Sequence, residues 1–385
     1  MITELRLKNF KCLKDDFFSL SKINVFAGRN GIGKSSLLQS LLLIAQSLDD
    51  NGLLKKVKIN GAFLQLGTYS DIISKDSKDS KISIRLTSDD SPEDDFVELI
   101  LEEDTEPSYA KIADLRTPQI DSSLDVPSAN TGKLEEPLSY KAEASVDVTS
   151  ALPPLMQLQN VYFVSADRRG PVNSQKLDAS VLLSNVGIHG ENVLNVLYRG
   201  GEDLQMKVRN ALTYVMKQSS LNMKEVNNDI QLFLDSVNDS DGFKPMNVGF
   251  GYSYLLTILL TMLVAEPKSK VFIENPEAHL HPGAQSRLID FLFKTAKEKN
   301  LQLFIETHSE NVFNAIRRAS LSGFGILPKE VKSYFFFDKD GNQLAYQEIE
   351  MEKDGSLNVF PADFFDQTRQ ELREIMNLVN NQKNK

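Results

Sequence analysis

One stretch constrains the fold of this chain more than any other: GRNGIGKS, Gly28 to Ser35, which follows the apolar, strand-like run SKINVFAG and opens the leucine-rich run SSLLQSLLLIAQSL. A glycine loop of the form G-x-x-x-x-G-K-[ST] between a strand and a helix is a phosphate loop. Gly28, Gly31 and Gly33 let the backbone turn its N–H groups inward, and the helix adds the positive end of its dipole. Lys34 would then offer a point charge to the β- and γ-phosphates, and the Ser35 hydroxyl would ligate Mg²⁺.

Two further strand ends carry ionisable groups. KVFIENPEAHLHP delivers Glu274 and Glu277 at the end of an apolar strand, where parallel sheets bind ligands. Glu274 is expected to hold Mg²⁺ through water, and Glu277 to orient and deprotonate an attacking water. LFIETHS presents His308 as a candidate γ-phosphate sensor, a neutral imidazole bonded to a phosphate oxygen and the water at once. A zinc reading of Glu277, His279 and His281 fails on spacing, because i, i+2 histidines followed by Pro282 give neither the i, i+4 pair of zinc hydrolases nor a four-ligand structural site. NVGFGYSYLL, Asn247 to Leu256, is a second glycine turn opening a helix, with Ser253 at its start. Two phosphate cradles in one chain imply ATP shared between two chains.

Strands alternate with helices at both ends of the chain, which predicts a mainly parallel α/β core interrupted by insertions. The expected divisions are residues 1–74 as a lobe with the phosphate loop, 75–150 as an acidic antiparallel β-rich insertion, 151–245 as a core strand plus a helical subdomain at 188–238, 246–325 as the lobe with the remaining motifs, and 326–385 as a C-terminal hairpin and helix. Between residues 89 and 106 there are ten acidic residues and no basic one, read as a solvated face or a dock for a basic partner. With a net charge of −10, any DNA binding must be local, and Lys55, Lys56, Lys58, Arg168 and Arg169 are its candidates. The lone cysteine, Cys12, excludes an intramolecular disulfide and reads as inert packing. No apolar run approaches a membrane span, so the expectation is a cytoplasmic protein with no membrane partner.

In this order, the four motifs resemble the ATPase heads of the ABC/SMC superfamily, most closely the prokaryotic AAA-named, OLD-like ATPases. NFKCLKD, FVSADRRGP and FPADFFDQ resemble further segments of that group, the last a C-terminal module of one of its branches. The resemblance implies a P-loop ABC-type head with ATP and Mg²⁺ as cofactors. It makes Gly28 to Ser36 the Walker A motif, with Asn30, Gly31, Gly33, Lys34, Ser35 and Ser36 on the nucleotide and Lys11 approaching it. It makes Asn247 to Tyr254 the signature, with Gly251 and Ser253 on the partner's nucleotide, Glu274 and Glu277 the Walker B and catalytic acids, and His308 the switch histidine, with Lys34 also catalytic. Glu274 stands where Asp is commoner, and Tyr254 where Gln is frequent; Gln65 is the candidate Mg²⁺-sensing glutamine.

A transporter subunit is disfavoured because no LSGGQ is present. The nuclease domain of OLD nucleases is not recognisable either, since Asp338 and Asp340 read as a hairpin turn in DKDGN. The expected function is therefore a nucleotide-driven homodimer, the regulatory or sensor ATPase of a prokaryotic antiviral defence or toxin-like system with a separate effector, a nuclease or toxin. The alternative is a RecF- or SMC-like ATP-dependent DNA-binding repair protein.

Overall fold

The computed structural model describes residues 1–29, 31–89, 96–117, 139–140, 152–170, 172–217, 220–235, 242–339, 343–360 and 367–383. A hairpin of β1 (Ile2–Phe10) and β2 (Leu13–Ser19) leads into β3 (Ile23–Gly28) and the helix α1 (Lys34–Ala45). Then come β4 (Val57–Lys58), the single-turn α2 (Tyr69–Ile72), and the strands β5 (Ile82–Ser88), β6 (Phe96–Glu103), β7 (Tyr109–Arg116) and β8 (Ser139–Tyr140). The middle of the chain holds α3 (Pro153–Met156), β9 (Val161–Val164), β10 (Ser174–Lys176), α4 (Val193–Arg199), α5 (Gly201–Met216), β11 (Ser220–Val226) and β12 (Asp229–Asp235). The last part runs through α6 (Phe250–Val264), β13 (Lys270–Glu274), α7 (Pro282–Glu298), β14 (Gln302–Thr307), α8 (Glu310–Leu321), β15 (Val331–Lys339), β16 (Gln343–Ile349) and α9 (Gln367–Lys383).

The central sheet has the order β16-β15-β3-β14-β13-β9 and is parallel except for the β15–β16 hairpin. This is the mainly parallel core expected from the alternation of strands and helices. Its inner strands are covered on both faces, so they carry unbroken apolar runs such as VFI in β13 and LFI in β14. Successive side chains still part company. Val25, Ala27, Val271, Ile273, Leu303 and Ile305 face a core built with α4 to α8. Phe26, Phe272, Phe304 and Phe336 face the other way, onto the leucines of α1 and the apolar residues of β1 and β5. Phe272 and Phe304 stack there at 4.4 Å between ring centroids. Lying between two sheets, α1 is buried on every side, which explains why its leucines do not form a single stripe.

The second sheet has the order β2-β1-β5-β6-β7-β4, with β8 on β7, and its pairings are antiparallel. It joins what the composition change at residue 74 set apart, because β5 pairs with β1 of the N-terminal segment. Of the six described acidic residues between 89 and 106, Glu98, Glu102, Asp104 and Glu106 are matched by Arg116, Lys81, Lys111 and Lys56, and Asp89 by the N-terminal ammonium, while residues 90–95 lie outside the described residues.

Residues 188–238, expected to be helical, form α4 and α5 and then turn back as the β11–β12 hairpin of a small third sheet. The reason lies in Asn227 and Asn228, both at positive φ between the paired ends Val226 and Asp229. Two such residues make the mirror-image turn that suits a tight hairpin, and asparagine tolerates it. The β15–β16 hairpin closes with Lys339 opposite Gln343; Asp340, of the D-x-D pair, lies outside the described residues, as does the FFDQ segment through Asp366.

Candidate functional site

The strands β3, β13 and β14 run in parallel and end side by side, so whatever follows each strand converges on one edge of the sheet. After β3 the backbone takes positive φ at Gly28, Gly31 and Gly33. Gly28 is required sterically as well, since a Cβ there would sit 2.2 Å from the carbonyl oxygen of Phe336. Asn30 lies outside the described residues. Lys34, the first residue of α1, is 2% exposed, donates to the Arg29 carbonyl, and has its pKa lowered by burial. Ser36 is buried behind the loop, where its Oγ accepts from the Cys12 thiol at 3.6 Å.

The carboxylate that meets this loop is Glu306, a residue that motif reading passed over. Its Oε1 accepts from Ser35 Oγ at 3.0 Å and lies 3.8 Å from Lys34 Nζ. Burial, with repulsion from Glu274 and Glu277 after it, pushes its pKa up to about 7. The signal was present in LFIETHS as a charged residue inside a buried strand, but only the register that sets Glu306 beside Glu274 gives it meaning. Glu274, expected on the metal, has one oxygen tied to the Ala166 N–H at 2.9 Å, and burial raises its pKa.

Glu277 is held from two sides: Thr307 Oγ1 donates to its Oε2 at 2.9 Å, and the His308 N–H to its Oε1 at 2.7 Å. The His308 ring is 2.7 Å through Nδ1 from the Gly28 carbonyl, which can only accept, so Nδ1 carries the proton. Burial lowers the pKa of the ring and keeps it neutral. A neutral ring in this tautomer leaves Nε2 as an acceptor. It can take a hydrogen bond from water, whereas bonding a phosphate oxygen at the same time, as expected from sequence, would need a second proton.

Lys11, at positive φ in the β1–β2 turn, donates to Gln39 Oε1 on α1 at 2.6 Å and lines a cleft of about 800 Å³ with Cys12, Asp71, Lys75 and Leu344. Cys12 is exposed in that cleft, although its Sγ lies against Gly33, 2.7 Å from where a Cβ would be. Gln65 is exposed and donates to Gly61 within its own turn.

Gly251 and Ser253 are placed elsewhere, at the start of α6. Gly251 packs so closely on the His279 carbonyl that a Cβ would come within 2.5 Å of it. Ser253 shares a cavity of about 200 Å³ with Arg169, Gly190 and Thr257. The neighbouring Tyr254 ring meets the His279 ring at 4.7 Å and the Arg168 guanidinium at 5.1 Å.

Arg168 is not a surface cation. It is 3% exposed and donates to the carbonyls of Ser165 at 3.2 Å and of Glu274 and Asn275 at 2.7 Å each. Burial brings its pKa down to about 10. Lys56 is paired with Asp104 and Glu106 at 3.2 Å each. Among the described residues, no three His, Cys, Asp or Glu side chains are placed to hold a metal by themselves. The residues nonetheless fit Mg²⁺ bound together with phosphates. A serine hydroxyl faces a buried carboxylate whose Oε2 has no hydrogen-bond partner among the described residues, and Mg²⁺ ordinarily takes only one or two protein ligands, the rest being phosphate and water.

The family model described as "AAA domain, putative AbiEii toxin, Type IV TA system" matches residues 23–314, and one described as a protein of unknown function (DUF3696) matches residues 326–375. The uncharacterized protein MJECL10 of Methanocaldococcus jannaschii is 29% identical over 96 residues, taking in 23% of this chain and 43% of that protein. An SMC head bound to the C-winged helix domain of ScpA superposes with a TM-score of 0.56 at 14% identity, covering 92% of this chain and 98% of that one. An SMC head with an extended coiled coil, bound to the C-terminal domain of ScpA derived from Pyrococcus furiosus, gives 0.51 at 14% identity, covering 98% and 99%. These two likenesses are of fold. No helix among the described residues is long and apolar enough to cross a membrane.

Proposed function

The chain belongs to this AAA-domain family, and from that premise we propose that it binds and hydrolyses Mg-ATP between two copies of itself. One observation carries the reading: Lys34 and Ser35 at the start of α1, Glu306 and His308 at the end of β14 and Glu277 after β13 are linked by direct contacts at one sheet edge. Lys34 and the loop N–H groups bind the phosphates. Ser35 and the strand-end carboxylates would hold Mg²⁺, Glu274 through water, and the ion would neutralise phosphate charge. Glu277, fixed through both oxygens, orients a water and takes its proton, and His308 accepts a hydrogen bond from that water at Nε2. Gly251 and Ser253 meet the nucleotide of the second copy.

The family description names a toxin and a toxin–antitoxin system, which supports a regulatory ATPase of a defence or toxin-like system acting through a separate effector. That two heads of this fold carry a ScpA domain supports a protein partner. The DNA-binding alternative keeps only Lys55 and Arg169 as exposed members of its basic stretches, since Arg168 is buried and Lys56 is paired.

Binding of a fluorescent ATP analogue and phosphate release test the proposal. Lys34→Ala should weaken binding at least tenfold, and Glu277→Gln should bind normally while hydrolysis falls by about 10²-fold or more. Normal turnover by Glu277→Gln would sink its assignment.

A further inference from the structure

The roles above give Glu306 no part of its own among the strand-end carboxylates, although no other carboxylate among the described residues hydrogen-bonds the loop serine. It is 5% exposed, accepts from Ser35 Oγ at 3.0 Å, and its Oε2 is buried with no hydrogen-bond partner among the described residues. Adjacent ligands of an octahedral Mg²⁺ bonded at 2.0–2.1 Å stand about 2.9 Å apart. The Ser35 and Glu306 oxygens are thus already spaced as two neighbouring corners of that octahedron. Glu274, beside it in the sheet, has its Oε2 committed to the Ala166 N–H, and its own carbonyl is bonded by Arg168. It anchors the 165–168 turn.

We propose that Glu306, with Ser35, bonds the divalent cation of the nucleotide directly, and that Glu274 acts one layer further out by positioning the 165–168 turn. The assignment rests on the Mg-ATP reading. It also gives Lys34 an alternating partner: without nucleotide its ammonium faces Glu306, and on loading the carboxylate turns to the cation while the lysine turns to phosphate.

The test is equilibrium binding of a fluorescent ATP analogue in EDTA and in Mg²⁺, for wild type, Glu306→Gln, Glu274→Gln, Ser35→Ala and the Ser35→Ala/Glu306→Gln double variant. Glu306→Gln should bind in EDTA at least as tightly as wild type and lose the Mg²⁺-dependent gain, while Glu274→Gln keeps it. The double variant should lose no more than either single variant, because the two residues share one cation. Full Mg²⁺ gain in Glu306→Gln, with loss in Glu274→Gln, overturns the assignment and leaves the ATP reading intact. Should Glu306→Gln not fold, Glu306→Asp, which keeps the charge and shortens its reach, must show a reduced gain, and an undiminished one overturns the proposal. Absence of binding by wild type in both buffers defeats the ATP reading and this assignment with it.

Discussion

Glu306 makes the nucleotide-free chain sensitive to pH. Its carboxyl ordinarily titrates near 4.5 and is pushed up to about 7 in the fold. Between those values the folded chain holds a proton that the unfolded chain releases, so stability falls as pH rises through this window and levels off above it. Glu306→Gln cannot ionise. Urea midpoints of the nucleotide-free proteins should nearly coincide at pH 4.5 and favour the variant by roughly 1–3 kcal/mol at pH 8. A gap that does not widen with pH contradicts the burial of this charge. At Gly28, a Cβ would press on the Phe336 carbonyl and φ is +133, so Gly28→Ala should cost upwards of about 2 kcal/mol in the same assay. Gly31→Ala meets nothing within 4 Å and bears only the left-handed penalty of about 1 kcal/mol. Lys34 and Ser35 were legible because phosphate binding demands a contiguous loop. Glu306 was not, because its partners come from α1 and β13, and a strand's neighbours are not written in its own sequence.

Among the elements, the sequence identified those set by local pattern, such as β3 with its apolar run and α7 with its proline start. It misjudged β11 and β12, where alternation was masked by long polar side chains and only the paired asparagines marked the turn. The pairing of β1 with β5 was hidden for a related reason: the two strands are distant in sequence and adjacent in the sheet. Nor could composition show that Arg168 fastens the start of α6 to the end of β13. Removing its side chain frees three carbonyls and the face of Tyr254. Arg168→Ala should destabilise by about 2–4 kcal/mol, and hydrogen exchange should quicken at residues 250–254 and 274–275 together. Arg168→Lys should recover only part, since an ammonium cannot span the carbonyls that a planar guanidinium reaches. Faster exchange at one of the two places alone would show that they are not tied.

For the whole molecule, a charge of −10 per copy opposes bringing two heads together around anionic nucleotide, so the closed pair should be favoured by salt that screens this repulsion. Light scattering of Glu277→Gln with Mg-ATP should give twice the monomer mass, more completely at 150 mM than at about 20 mM salt, and a mass that stays monomeric throughout rules the sandwich out. The Arg168 tie has a consequence for timing. In the proposed pair, the α6 start that would meet the partner's ATP is fastened to the strand that carries its own Glu274, so each active site should sense the occupancy of the other. The two sites should then behave as a single unit with one threshold, and turnover should climb sigmoidally with ATP concentration, flattening to a simple hyperbola in Arg168→Ala.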